Sequence, residues 1–127
     1  MDAKDTTITR ITLLGEQHAV VLPDYAARED LFLAHVEAGK KRRGNSLFRV
    51  LSAAIGLCTR IGGEKRANVS YAACGYDAME YGGKVYSWLR EQGASHEDIA
   101  REGRVVMDLV AINLFPREHE VAEARGN

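Results

Sequence analysis

The chain has 127 residues, 46% of them apolar and 28% charged, with a formal net charge of −1. That is the length of one domain with one real core; it excludes long disorder, and no apolar run nears the roughly 18 residues of a membrane span. Two cysteines, Cys58 and Cys74, are too few for a disulfide framework or a zinc site built on cysteines, and the polar opening, Met1 to Arg10, shows no secretory signal, so a reducing cytoplasm is the expected compartment.

Thr6 to Leu14 is rich in β-branched residues. With Ala19 to Leu22 it predicts a hairpin over 6–22 around a loop of Gly15 to His18, ended by Pro23. Asp24 is placed to cap a helix from Tyr25 to Ala38, with Ala27, Leu31, Ala34 and Ala38 on one stripe and Gly39 as its stop. Lys40, Lys41, Arg42 and Arg43 then form a basic connector. Residues 40–66 carry +7 between acidic flanks: 1–39 carry −4 and 95–127 carry −3. Such a middle attracts an acidic partner, the chain's own ends or another copy.

The next helix, from Asn45 or Ser46 to about Ile61, is the most apolar and is the expected centre of the core. Ser52, Ala53 and Gly56 keep one side of it thin enough for a close neighbour. Gly62 and Gly63 end it, Glu64 to Asn68 reads as a polar loop, and Val69 to Cys74 as a single helical turn. Asp77 caps a helix from Ala78 to Gln92 whose interior Gly82 and Gly83 imply close backbone packing. Ser95 to Asp98 resembles a capping box opening a helix to about Leu114, broken by Pro116, and a short helix over 118–124 is expected to end the chain. The fold class is mostly α: one domain over 1–127, with a compact four- to five-helix unit over 24–125 behind the hairpin. Leu47, Leu51, Ile55, Cys58, Val85, Leu89, Val106 and Leu109 are the expected core.

Chemistry-bearing patterns are sparse. His18, His35, His96 and His119 form no metal-ligand spacing, and there is no nucleophile elbow, phosphate loop or dinucleotide fingerprint. Cys58 sits on an apolar stripe and reads as a core thiol, while Cys74, in a Gly/Ala-rich stretch, is the more ambiguous of the two. No catalytic residue, metal or cofactor is expected. Tyr71, Tyr76, Tyr81, Tyr86 and Trp88 crowd one region, half or more of them core and the remainder a partner face. The expected partner-binding set is therefore the exposed members of Tyr76, Tyr81, Tyr86 and Trp88, with Lys40, Lys41, Arg42 and Arg43 steering. A homo-oligomer is expected from the charge pattern.

Four stretches, in order, carry a family resemblance: Leu51 to Cys58 (LSAAIGLC), Tyr81 to Gly93 (YGGKVYSWLREQG), Asp98 to Arg104 (DIAREGR) with the apolar run after it, and Glu120 to Ala124 (EVAEA). Over roughly residues 45–125 the chain resembles the tail assembly chaperones of long-tailed bacteriophages and prophages. The basic connector and Gly62 to Asn68 depart from the group's pattern. The resemblance implies a protein that binds the long, helical tape measure protein and keeps it soluble while tail tube subunits, the major tail protein, polymerise around it. It also implies many copies acting in the host bacterium's cytoplasm, absent from the finished virion, without enzymatic activity or cofactor. The alternative is a small phage or host regulatory adaptor that contacts nucleic acid or an acidic protein through residues 40–43. Against nucleic acid stand the slightly negative overall charge and the lack of aromatics among the bases.

Overall fold

The structure, a computed structural model, describes residues 8–41, 45–66 and 68–114. Strands β1 (Arg10–Leu13) and β2 (Glu16–Ala19) form an antiparallel hairpin, and helices α1 (Tyr25–Lys41), α2 (Ser46–Cys58), α3 (Ala78–Glu91) and α4 (His96–Ile112) follow. Short 3-10 turns at Gly63–Arg66 and Ala72–Cys74 link α2 to α3. The mostly helical class with an N-terminal hairpin is as the sequence predicts. The start of the first strand at Thr6 and the helix over 118–124 lie outside the described residues.

The hairpin differs in its turn. Leu14 and Gly15 both take positive φ, 57° and 77°, which matches the right-handed twist of the flanking strands and closes the hairpin in two residues. Glu16, Gln17 and His18 are consequently strand, not loop. Ile11 and Leu13 point into the core, and the Thr12 amide donates to Glu102 Oε1 at 2.7 Å, fastening the hairpin to α4.

Local signals set the helix starts. Asp24 Oδ1 accepts from the Ala27 amide, Asp77 Oδ1 from the Met79 and Glu80 amides, and Ser95 Oγ from the Asp98 amide, each filling donors that the first turn leaves open. α1 runs through Gly39 to Lys41 instead of stopping there. Gly39 is exposed, and Lys40 pairs with Glu37 one turn back. α2 is buried on nearly every side and packs most extensively on α3, then on α4 and α1.

Close approach rests on three glycines. Gly82 on α3 lies against the Arg49 backbone, Gly103 on α4 faces Leu51, and Gly56 on α2 faces Tyr81 and Val85; a Cβ at Gly56 or Gly103 would come within 2.7 Å of its neighbour. Gly83 faces only the Arg49 side chain at ordinary distance. Of the expected core, Leu51, Ile55, Cys58, Val85, Leu89 and Val106 are fully enclosed. Leu47, in the first turn of α2, and Leu109, at the edge of the α4 stripe, are half-buried.

Arg66, in what reads as a polar loop, closes the end of α2. Its guanidinium donates to the carbonyls of Ile61 (2.8 Å) and Gly56 (3.2 Å) and to Tyr81 Oη (2.8 Å). A fixed cation there satisfies carbonyls that the helix terminus leaves open and complements its negative dipole end.

Candidate functional site

The five aromatics do not make one face. Tyr81 is 3% exposed, its hydroxyl held by Arg66, which removes it from the expected contact set. Tyr86 is half-buried; its hydroxyl is 2.8 Å from His96 Nδ1, and Phe48 stacks on the His96 ring at 3.8 Å between centroids. Trp88 is half-buried against Gly62, where only a glycine leaves room for the indole. Tyr71 is half-buried, and only Tyr76 of the five stands exposed, at 65%. Lys40 is exposed and paired with Glu37 at 3.6 Å; α1 includes Lys41, and Arg42 and Arg43 lie outside the described residues.

Tyr76 belongs to a different feature, a groove along one side of α1. It has three confluent stretches of about 550, 600 and 380 Å3. The first lies between the hairpin and the end of α2, and it meets the second at Pro23 and Leu57. The second and third share Asp30, Leu33 and Tyr76 and reach the start of α3 at Ala78 and Met79. Three of the seven large apolar side chains exposed among the described residues line it: Val21 at 67%, Leu33 at 56% and Tyr76 at 65%. Single exposed apolar residues are ordinary; three along adjoining hollows make this a candidate interaction surface.

The groove wall is fixed by a long-range polar clasp. Asp30 on α1 accepts from Tyr71 Oη (2.5 Å) and from the Ala78 amide (3.1 Å), tying the helix to the segment before α3 and to the first residue of α3. Burial, the hydrogen bond to Asp30 and the nearby charges of Asp30, Asp24 and Asp77 all push the Tyr71 phenol above its usual range. Tyr76 packs edge-on against Tyr71, 5.4 Å between centroids, and takes φ 57° after Gly75 at φ 67°. A tyrosine in the left-handed region costs about 1–2 kcal/mol, and such strain clusters at binding sites.

Both cysteines are enclosed. Cys58 is buried, and burial pushes its thiol up to about 12. Cys74 is also buried. Among the described residues no group of three or more His, Cys, Asp or Glu is placed to hold a metal ion, and no helix is long and apolar enough to cross a membrane. Comparison with protein-family models, curated proteins and solved structures gives no match.

Proposed function

We propose that this protein is a phage tail assembly chaperone that binds helical segments of a tape measure protein and keeps that chain soluble until the tail tube forms around it. The observation that carries the reading is the groove along α1, with Leu33 and Tyr76 exposed within it, adjoined at Pro23 and Leu57 by a hollow where Val21 is exposed. A groove walled by a helix and floored by apolar side chains suits the apolar face of an amphipathic helix. Many weakly bound copies along one long chain hold it tightly overall. The resemblance over residues 45–125 is a separate support, because the α1 wall lies outside that stretch. The enclosed thiols of Cys58 and Cys74 favour a binding role over a catalytic one.

Co-expression tests the reading. Soluble recovery of the tape measure protein is expected to require this protein and to survive moderate salt. A tape measure protein equally soluble alone overturns it. Binding of duplex DNA with a steep salt dependence would instead favour the adaptor working through Lys40 to Arg43.

A further inference from the structure

Charge around the groove is one-sided. Among the described residues, the stretches that meet at Leu33 and Tyr76 are lined by five carboxylates, Asp24, Glu29, Asp30, Glu37 and Asp77, and by no lysine or arginine. Arg60 lies at the hairpin end. Three of the five acids are locked in place: Asp24 and Asp77 cap helices, and Asp30 accepts from Tyr71 and Ala78. The helix N-termini offset part of the charge on the two capping acids. Asp30, Glu29 and Glu37 supply the rest; Glu37 pairs with Lys40, an exposed pair of little strength.

An apolar floor between acidic rims selects its occupant by sign. A helix with acidic flanks would bring like charges together as water leaves, whereas a helix with Lys or Arg beside its apolar stripe gains on both counts. We propose that the groove takes a cationic amphipathic helix: a partner segment whose apolar face seats on Leu33, Leu57 and Tyr76 while its lysines or arginines meet Glu29, Asp30 and Glu37. This deepens the chaperone reading and rests on it for the partner's identity. It implies that the tape measure segments bound are those with basic flanks.

The test uses two synthetic helices of roughly 18 residues, long enough to hold helical form. Both carry leucines at i, i+3, i+4 and i+7; one has lysine flanks and the other glutamate at the same positions. Titrated against the full chain at low salt, the lysine peptide is expected to bind at least about 10-fold tighter, with the preference shrinking in high salt. Glu29→Lys with Glu37→Lys, both at exposed positions, should abolish or reverse the preference while the melting temperature stays put. Leu33→Asn should weaken both peptides. Equal binding of the two peptides, or a preference that survives the double charge reversal, overturns the proposal. So does a dimer of the chain that is broken by Leu33→Asn and untouched by excess lysine peptide. A tape measure protein kept soluble by the charge-reversed chain as well as by the native one sinks this inference and leaves the chaperone reading intact. A lysine preference alongside a tape measure protein soluble alone does the opposite.

Discussion

The carbonyl oxygen of Arg49 on α2 fills the space that a side chain would need at Gly82 on α3. A Cβ there would sit well inside van der Waals distance of that oxygen, so the two backbones touch directly. Gly83, one residue on, makes no such contact. The two glycines therefore separate packing from helix propensity.

Gly82→Ala is expected to destabilise the protein by about 2–3 kcal/mol, as overpacking a close crossing does. Gly83→Ala should be neutral or stabilising by up to about 1 kcal/mol, through lower chain entropy in the unfolded state. Urea unfolding of both variants measures the contrast. Equal effects would mean that the crossing is not where the structure puts it.

Both glycines, as a packing signal, are legible in the sequence, but which one makes the contact is not, because that depends on the rotation of α3 against α2. The caps at Asp24, Asp77 and Ser95 are legible for a simpler reason: the donor and acceptor lie within three residues of each other. The partner face is the opposite case. Tyr86 and Trp88 are two positions apart on a helix, about 200° around it, so they cannot share a face. The groove itself depends on Asp30 meeting Tyr71 and Ala78 across more than 40 residues, which no local pattern announces. One hint is available: Leu31, Phe32 and Leu33 are consecutive, so a helix must turn at least one of them outward.

Cys58 gives the stability a pH dependence. Its folded thiol is pushed up to about 12, from a usual value of 9.0. A group raised on folding stabilises fully below its unfolded value and loses that contribution as pH climbs towards the folded one. Stability should therefore fall from about pH 9 upward, and Tyr71, also raised, adds to the fall above about pH 10. Cys58→Ala should flatten the first part of the slope, whatever its effect at neutral pH. Thiol labelling of Cys58 in the native protein should proceed no faster than unfolding.

Tyr76→Asn tests whether backbone strain is held for binding. Relief of the left-handed tyrosine gains about 1 kcal/mol, and losing its edge contact with Tyr71 costs about the same, so the melting temperature should barely move. Partner binding should weaken several-fold, since exposed aromatic anchors carry much of the energy of such interfaces. Unchanged binding would remove Tyr76 from the site.

Trp88→Ala should show the reverse pattern. The indole packs against Gly62 and lines no part of the groove. Truncating it is expected to cost about 2–4 kcal/mol of stability and to leave affinity for a groove-binding helix unchanged in the folded fraction. A loss of affinity at full stability would return the partner face to α3.

The most direct test of where the partner sits is photo-crosslinking in cells that co-express the tape measure protein. A benzophenone side chain is placed in turn at Leu33, at Tyr76 and, outside the groove, at the exposed Val105 on α4. The groove account predicts strong crosslinks to the tape measure protein from 33 and 76, and little from 105. Crosslinks from 105 with none from 33 or 76 would contradict it.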